Sequence, residues 1–330
     1  MLFSVVVPVY NRPDEVDELL RSLCDQTADN FEVVIVEDGS KYPCKAIVEK
    51  YSLRLSISYF SKENTGPGTT RNYGAERSAG DYIVFFDSDC IIPPDYFRCV
   101  NSFLSRNKVD AFGGPDKAHD SFTITQKAIN YSMTSFFTTG GIRGGNEKMD
   151  KFFPRSFNMG FSREVFNTTG GFSTMRFGED IDMSIRILSN GFQTALIKDA
   201  FVYHKRRTDL RKFFKQVFNS GMARINLYKK YPESLKIVHL LPTAFVLGTL
   251  ILVVLSVFCS LWFLVPLAMY FLGVFADSLI KNKNLSVAFK SIFASFVQLF
   301  GYGTGFLTAF WKRIILQQPD ATAFVKNFYK

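Results

Sequence analysis

One short acidic motif contains the residues of this sequence that are best suited to chemistry. Asp87 and Asp89 are separated by a single residue, directly after an apolar run. Two carboxylates at this spacing can face one hard divalent cation, which keeps several waters and takes its remaining ligands from a phosphate. Aspartates are equally common in turns, where they cap the following helix. Taken alone, the motif favours neither interpretation.

The chain around this motif alternates between apolar, β-rich runs and helical patterns. Residues 2–9 form a continuous apolar run, which is typical of a strand buried on both faces. Residues 12–25 follow with apolar residues at helical spacing and a proline in the first turn. This alternation predicts an α/β fold with a doubly wound sheet. Further strands are expected at 31–40, 53–60 and 81–89, with helices near 43–51 and from 66 onward.

Polar residues follow three of the four predicted strands. In doubly wound sheets the ligand site lies outside the carboxyl ends of the strands, so these residues predict a binding site there. They are Tyr10, Asn11 and Arg12 after the first strand, Asp38, Gly39 and Ser40 after the second, and Asp87, Ser88 and Asp89 after the fourth. Residues 113–150 are rich in glycine and threonine and are expected to be irregular.

The formal net charge of +9 comes entirely from the C-terminal part of the chain. Residues 1–203 carry 22 Lys and Arg against 26 Asp and Glu, whereas residues 204–236 carry 10 against 2. Residues 237–276 then contain no charged side chain, and forty such residues are about twice the roughly 20 needed to cross a bilayer. We therefore interpret the basic run as contact with anionic lipid rather than with nucleic acid. A buried core helix beside a solvated basic face is the alternative.

These patterns predict three regions with different surroundings. We expect an α/β domain over 1–204, a basic amphipathic interfacial segment over 205–236 and a membrane domain over 237–330. Because the sequence shows no signal peptide, the α/β domain is expected in the cytoplasm, at an inner or plasma membrane. The five cysteines have no metal-ligand spacing, which suits a reducing compartment.

The membrane domain is expected to contain two spans, near 238–258 and 261–280. A third apolar segment, 291–311, is also long enough to cross. It ends at Lys312 and Arg313, however, which prefer the cytoplasmic side. The sequence leaves open whether this segment is re-entrant, interfacial or spanning.

Several pieces of the first 204 residues, in order and spacing, resemble family-two glycosyltransferases of GT-A fold. They are SVVVPVYNRPDEVDELLRSL (4–23), VIVEDGS (34–40), GPGTTRN (66–72), FFDSD (85–89), RSFNMGFSREVFNTTGGF (155–172), FGEDIDMSIRI (177–187) and AFVYH (200–204). The resemblance implies a GT-A domain with a mixed nucleotide-binding sheet. The sequence departs from the family pattern at Glu37, where members usually have aspartate, and this change keeps the negative charge.

The resemblance also implies roles for particular residues. Asp89 would bind the Mg²⁺ or Mn²⁺ that bridges the donor diphosphate, and His204 lies where the family sometimes has a metal or diphosphate ligand. A structural histidine is the alternative for His204. The implied nucleotide-binding residues are Pro8, Tyr10, Arg12, Asp38, Arg71 and Asp87, and the implied acceptor-side residues are Asn158, Met159 and Gly160.

The resemblance also implies that a second acidic motif, Glu179 and Asp180, activates the acceptor. An acceptor hydroxyl is a poor nucleophile until a base takes its proton. In the resembled family the aspartate of this pair is that base, which implies Asp180, with Glu179 as its neighbour. The alternative is a pair of first-turn acids favoured by a helix dipole. Cys90, beside the first motif, has no basic partner in sequence and is interpreted as packing.

Residues 211–230 mix aromatic and aliphatic residues with basic ones, which predicts an amphipathic helix lying on the membrane. Processive polysaccharide synthases of the family carry a QxxRW signature in this region. Here KQVFNSG (215–221) has Asn219 and Ser220 in place of the Arg-Trp pair. This departure favours the transfer of one sugar per acceptor.

The resulting hypothesis is an inverting, metal-dependent glycosyltransferase that uses a UDP- or GDP-sugar and a lipid-linked glycan acceptor. Its partners would be these two substrates and membrane lipid, with no nucleic acid. A transferase that acts on polyprenyl phosphate is one alternative. A catalytically inactive, nucleotide-sugar-binding membrane scaffold is another, and a nucleotidyltransferase of the same fold receives no support from the second acidic motif or the apolar segments.

Overall fold

The computed structural model describes residues 1–139 and 152–318, and these form two compact units. The sheet unit comprises residues 1–119 and 152–205, and the helical unit comprises residues 120–139 and 206–318. Residues 120–139, which the sequence analysis included in the α/β domain, therefore belong to the helical unit. Parts of the segment 113–150 and of the membrane domain 237–330 lie outside the described residues.

The sheet unit is built on a mixed sheet of seven strands in the order β3-β2-β1-β4-β8-β6-β9. The first four strands pair in parallel, as the alternating pattern predicted, whereas β8 is antiparallel to both β4 and β6. These strands are β1 (Phe3–Val9), β2 (Phe31–Asp38), β3 (Ile57–Lys62), β4 (Tyr82–Phe86), β6 (Ala111–Gly113), β8 (Asn158–Ser162) and β9 (Thr194–Leu196).

Helices cover both faces of this sheet, so each central strand is buried on two sides. In β1, Val5 and Val7 face one core while Val6 faces the other. The first core includes residues of α1 (Pro13–Cys24), α2 (Lys45–Tyr51) and α4 (Tyr96–Leu104). The second includes residues of α3 (Pro67–Glu76), α7 (Arg163–Thr169) and α8 (Glu179–Ser189).

A small second sheet lies beside the acidic turn that follows β4. Its strands are β5 (Cys90–Ile91), β7 (Asp116–Lys117) and β10 (Val202–His204), with β10 in the middle. The antiparallel pairing of β10 with β5 sets His204 opposite Cys90. Residues that are about 115 positions apart in sequence are thereby brought together.

The third strand begins later than the sequence predicted. Leu53, expected in a strand over 53–60, is 99% exposed. The residues after α2 instead continue as a turn, in which Arg54 and Leu55 donate their amides to the Tyr51 carbonyl. The strand starts only at Ile57, where pairing with β2 begins.

The helical unit contains α5 (Ile124–Thr134), α6 (Phe136–Thr139), α9 (Leu210–Lys230), α10 (Leu241–Phe258), α11 (Val265–Asn282) and α12 (Leu285–Phe310). Helix α5 corrects the expectation of irregular structure over 113–150, since Thr123 and Gln126 form a capping box at its start. Three helical segments are long and apolar enough to cross a membrane, and they are Leu241–Phe258, Leu261–Asn282 and Leu285–Ile315.

Helix α9 forms at the predicted position and packs closely along α12. A Cβ added at Gly221 of α9 would lie 2.1 Å from the Tyr302 carbonyl oxygen of α12. One added at Gly305 of α12 would lie 2.1 Å from the Phe218 carbonyl oxygen of α9. Glycine at these positions therefore lets the two backbones approach, as in tightly packed membrane helices.

Candidate active site

The loops that follow β1 and β2 are tied together by one asparagine. The side-chain oxygen of Asn11 accepts the amides of Lys41 and Tyr42 at 2.7 and 3.1 Å, and the Asn11 amide donates to Ser40 Oγ at 2.8 Å. Asn11 adopts a left-handed backbone with φ of 54°, which asparagine tolerates better than most residues. The two loops therefore form one framework at the carboxyl end of the sheet.

Asp89, which follows β4, is a buried carboxylate beside Arg12 and His204. Arg12 forms an ion pair with the Oδ2 atom of Asp89. His204 Nε2 lies 3.2 Å from its Oδ1 atom and 3.8 Å from Asp87 Oδ2. Burial raises the pKa of Asp89, but the attraction of His204 and of Arg12 outweighs it and lowers the pKa below the ordinary value. Asp89 is therefore a carboxylate at neutral pH.

The geometry around Asp89 fits a divalent cation. Its buried Oδ1 atom makes no aligned hydrogen bond with any residue that the structure describes. The 3.2 Å between Oδ1 and His204 Nε2 resembles the roughly 3 Å between adjacent ligands of an octahedral ion with bonds of about 2.1 Å. Asp89 and His204 are thus the residues that would hold the ion.

Cys90 lies in the same cluster but does not fit this role. Its sulfur is buried near the Phe157 carbonyl oxygen, at 3.6 Å. Burial, together with the charges of Asp89 and Asp87, raises the pKa of the Cys90 thiol well above its ordinary value. Sulfur is also a soft donor that suits Mg²⁺ and Mn²⁺ poorly, so we interpret Cys90 as a packing residue.

Arg71 connects the two acidic motifs. Its guanidinium is buried and donates to Asp87 Oδ1 at 2.7 Å and to Glu179 Oε1 at 3.1 Å. Arg71 lies in α3 and Glu179 at the start of α8, so a single side chain joins elements that are 108 positions apart in sequence. The implied nucleotide-binding role of Arg71 remains a prediction.

Glu179 is a buried acid with an altered affinity for protons. Desolvation raises its pKa to about 7, against the opposing attraction of Arg71, and the neighbouring Asp180 adds to the rise. The carboxyl is therefore partly protonated at neutral pH. This state reduces the repulsion between the two adjacent acids of the motif.

The raised pKa of Glu179 predicts a stability that falls as the pH rises. The ordinary pKa is 4.5, so between about pH 4.5 and 7 the folded chain holds this proton more tightly than the unfolded chain. Raising the pH through this window costs the folded state on the order of 3 kcal/mol. The midpoint of thermal unfolding of detergent-purified protein should fall across it, and Glu179→Gln should flatten that fall.

A matched control for this measurement is Glu164→Gln, which alters an exposed glutamate in the first turn of α7. This variant should show the same pH dependence of the thermal unfolding midpoint as the wild type. If Glu179→Gln and the wild type lose the same stability across the window, the assigned protonation of Glu179 is wrong.

Asp180, the expected base, lies one residue further into α8 and remains partly accessible. Its Oδ2 atom is 3.3 Å from Arg155 Nη1, and its Oδ1 atom accepts the amide of Ile181 at 2.8 Å. Both side chains of the Arg155 pair are only partly buried. The carboxylate of Asp180 is therefore partly accessible to solvent.

Asp38 is buried at the end of β2, where it also shapes the loop before α3. Its carboxylate accepts the amides of Thr65 and Gly66, both at 2.9 Å, and pairs with Lys62. Pro8 is partly buried at the end of β1, and Tyr10 is exposed just beyond it. The nucleotide-binding roles of these three residues remain predictions.

The structure does not bring Asn158, Met159 and Gly160 to the site. All three lie in β8 and are buried. Asn158 accepts from the Tyr96 hydroxyl at 2.6 Å and donates to the Ala200 carbonyl at 2.8 Å. The ring of Phe112 packs over Gly160. These contacts stabilise the sheet, and the acceptor-side role of the three residues stays a prediction.

Two residues near the site were not assigned from the sequence. Arg155 pairs with Asp180, and the ring of Phe157 stacks on His204 with centroids 4.9 Å apart. Both lie within the stretch 155–172 that carries the resemblance, but neither has a neighbour in sequence that indicates its partner. Only the fold shows these contacts.

The comparisons with known proteins agree with this architecture. The family model described as glycosyl transferase family 2 matches residues 4–170, and the chain belongs to this family. An uncharacterized glycosyltransferase of Haemophilus influenzae is 30% identical over 220 residues, which cover 63% of this chain and 71% of that protein. The protein is therefore a glycosyltransferase.

Other relatives match over shorter regions. An uncharacterized glycosyltransferase of Rickettsia bellii is 41% identical over 104 residues, or 32% of this chain and 15% of that protein. The poly(ribitol-phosphate) beta-N-acetylglucosaminyltransferase TarS of Staphylococcus aureus is 37% identical over 114 residues, or 33% of this chain and 20% of that protein. The aligned part is thus a small fraction of these longer relatives.

Two solved structures show the same GT-A-like fold at low sequence identity. The mannosyltransferase PcManGT from Pyrobaculum calidifontis, in complex with GDP-Man and Mn²⁺, has a TM-score of 0.61 and 16% identity. That match covers 94% of this chain and 87% of the other. S. aureus TarS 1–349 in complex with UDP-GlcNAc has a TM-score of 0.51 and 19% identity, covering 96% and 93%.

Proposed function

We propose that this glycosyltransferase is inverting and metal-dependent, and that it moves one sugar from a nucleotide diphosphate sugar to a lipid-linked acceptor at the cytoplasmic membrane face. The observation that carries the proposal is the arrangement of the two acidic motifs. Arg71 bridges them through Asp87 and Glu179, so a carboxylate suited to a cation and a carboxylate suited to a base belong to one connected site.

A nucleotide sugar is the donor class that two structural neighbours support, since they are complexes with UDP-GlcNAc and GDP-Man. In this chain the nucleoside would lie against the loops after β1 and β2, which Asn11 joins. Arg12 and Arg71 would counter the charge of the diphosphate. Both uridine and guanosine donors fit this description.

The reaction is a single displacement at the anomeric carbon. The acceptor oxygen forms the new bond while the bond from the anomeric carbon to the phosphate oxygen breaks. The nucleoside diphosphate leaves with the electron pair, and Asp180 takes the acceptor proton. Since base and leaving group lie on opposite sides of the sugar, the configuration inverts.

The departing diphosphate develops negative charge, and Mg²⁺ or Mn²⁺ held by Asp89 and His204 would supply Lewis acid stabilisation of that charge. The stacked ring of Phe157 and the register of β10 on β5 fix the orientation of His204. Arg12 forms an ion pair with Asp89 Oδ2 and, together with His204, favours the ionised carboxylate.

The C-terminal part of the chain supports the proposal of a lipid-linked acceptor and a cytoplasmic orientation. Two of the apolar helical segments, Leu241–Phe258 and Leu261–Asn282, match the spans near 238–258 and 261–280 that the sequence predicted. The basic residues of 204–236 precede the first of them, and such residues favour the cytoplasmic side. A transferase held there would meet acceptors embedded in the same bilayer.

This orientation makes Cys259 a natural reporter of topology. Cys259 is exposed at the end of α10, between the two proposed spans, so it should face the side opposite the sheet unit. A membrane-impermeant maleimide should label the wild type in intact spheroplasts, and Cys259→Ser should remove that label. Labelling that appears only after the membrane is permeabilised would contradict the orientation.

For the third apolar segment we favour an interfacial position. Ser291 and Ser278 of α11 are joined by a hydrogen bond of 2.8 Å, near the end of α11. Gly303 packs against Pro242 and Val246, at the start of α10. Residues 291 and 303 are about 18 Å apart along α12. Both nevertheless contact residues near the proposed cytoplasmic ends of the spans, which favours a helix that runs along the membrane surface over one that crosses it. An interfacial position of this segment keeps Lys312 and Arg313 on the cytoplasmic side.

A polyprenyl phosphate acceptor is the second candidate, and Arg155 is the observation in its favour. Its guanidinium lies beside Asp180 and is partly accessible, so it can pair with a phosphate oxygen. A phosphate acceptor is already ionised and needs no base. Replacing Asp180 would then have a much smaller effect than it would with a hydroxyl acceptor.

Product analysis separates the two candidates. Membrane lipid extract and labelled donor would be incubated with the purified enzyme, and the lipid product would be treated with mild acid. A sugar joined to a pre-existing glycan stays attached to that glycan and supports the proposal. Release of a free monosaccharide from a glycan-free polyprenyl phosphate would replace it with the second candidate.

A further inference from the structure

The segment between β7 and β8 contains exposed aromatic residues that the site does not use. Phe136 is 73% exposed and Phe137 is 41% exposed, and both lie in α6. Adjacent exposed phenylalanines on one short turn form the kind of apolar surface that usually meets a partner or a membrane. The position of the two phenylalanines within the helical unit indicates whether this surface meets a partner or a membrane.

Individual contacts join α5 and α6 to two different levels of α11. The Tyr131 hydroxyl donates to Asp277 at 2.6 Å, near the charged end of α11. Further along, the Tyr270 hydroxyl donates to the Phe137 carbonyl at 2.8 Å. Since Tyr270 lies seven residues before Asp277, this second contact is about 10 Å deeper along the helix.

The depth of these contacts along α11 is measured from the charged end of the helix. Asp277 pairs with Lys281 at 3.0 Å, and Asn282 ends the helix. In contrast, the residues of α11 from Val265 to Ala276 are uncharged. The tip of α6 thus lies beside the apolar part of a helix that is long and apolar enough to span a bilayer.

The backbone around the break between α5 and α6 is satisfied by side-chain hydroxyls. The Phe137 amide donates to Ser135 Oγ at 3.2 Å, while Thr139 Oγ1 donates to the Ser135 carbonyl at 2.9 Å. Thr138 Oγ1 also donates to that carbonyl, at 3.1 Å. Such local pairing is what lets a broken helix exist at membrane depth, where no water is available to bind free polar groups.

From these contacts we propose that residues 124–139 form a membrane-inserted helical segment and that Phe136 and Phe137 contact lipid acyl chains. The inference rests on the proposed crossing of α11. It adds a point of membrane attachment within the chain that lies between β7 and β8, in addition to the C-terminal helices.

Fluorescence quenching by brominated lipids tests the inference. In the full chain, Trp262→Phe and Trp311→Phe remove both native tryptophans, and Phe136→Trp introduces a single reporter. Reconstituted into vesicles whose acyl chains carry bromine, this protein should lose most of its tryptophan emission. The same protein in vesicles without bromine should retain it and emit at short wavelength.

Two further reporters separate the possible failures. Met269→Trp, on the exposed surface of α11, should also be quenched, whereas Leu53→Trp, on the exposed turn of the sheet unit, should not. Quenching at 269 without quenching at 136 would overturn the inserted segment and leave the span of α11 intact. No quenching at either position would overturn the span and the inference together.

Discussion

Replacing Asp180 by asparagine should lower the rate of sugar transfer by about 10²–10⁴-fold, because the substitution removes the base and keeps the shape of the side chain. Donor binding should persist, since Asp89, His204 and Arg71 are untouched. The measurement is the turnover of nucleotide sugar with acceptor present, alongside the calorimetric affinity for the donor. A loss of kcat without a loss of donor affinity is the expected pattern.

The control for this variant is Asp14→Asn, which changes an exposed aspartate in the first turn of α1. A first-turn aspartate contributes through the helix dipole, typically 0.3–1 kcal/mol. If Asp180 has only that role, the two variants should lower thermal stability alike and leave kcat nearly unchanged. Such equivalence would refute the catalytic assignment of Asp180.

Replacing Asp89 by asparagine should lower transfer by at least about 100-fold, because the main anionic ligand for the cation is lost. The same change should weaken the binding of Mn²⁺ in the presence of nucleoside diphosphate, as followed by the electron paramagnetic resonance of free Mn²⁺. Higher Mn²⁺ concentrations should restore part of the activity. Unaltered Mn²⁺ binding would rule out Asp89 as a ligand.

This experiment needs a check on folding, since Asp89→Asn leaves the Arg12 guanidinium without its carboxylate partner. His204→Ala provides a second route, because it removes a ligand and leaves the Arg12 ion pair in place. It should also weaken Mn²⁺ binding. Asp29→Asn, on an exposed turn of the sheet unit, serves as the neutral control in both assays.

The parallel half of the sheet could be predicted from sequence because its signals are local. The apolar run at 2–9 and the amphipathic pattern at 12–25 indicate burial directly, and the structure places both elements within a residue of these bounds, at Phe3–Val9 and Pro13–Cys24. Strand β3 was placed too early because Leu53 and Leu55 look like strand residues. They lie instead in the turn after α2, which depends on contacts that the pattern does not show.

The candidate site could be predicted in part for the same reason. Asp87, Asp89, Glu179 and Asp180 belong to short motifs, and the position of Asp87 and Asp89 at a strand end follows from the predicted alternation. The pairing of Arg71 with Glu179 and of Arg155 with Asp180 depends on residues that meet only in the fold. The hydrogen bonds of Asn158 to Tyr96 and Ala200 likewise join residues that are far apart in sequence, and its acceptor-side role stays a prediction.

The helical unit illustrates a different limit of sequence reasoning. The segment 113–150 is rich in glycine and threonine, which is typical of loops, yet Ile124–Thr134 is helical. Its buried residues Ala128, Ile129 and Met133 pack against α9 and α12, so tertiary contacts rather than composition make this stretch helical.

The most direct test of the central claim is the release of nucleoside diphosphate by the detergent-purified protein. UDP- and GDP-sugars would be screened with Mn²⁺ or Mg²⁺, with and without membrane lipid extract. We expect release from one donor that is stimulated by the extract, abolished by EDTA and absent in Asp180→Asn. Release that is insensitive to EDTA, or silence from every donor in folded protein, would contradict a metal-dependent transfer to a lipid-linked acceptor.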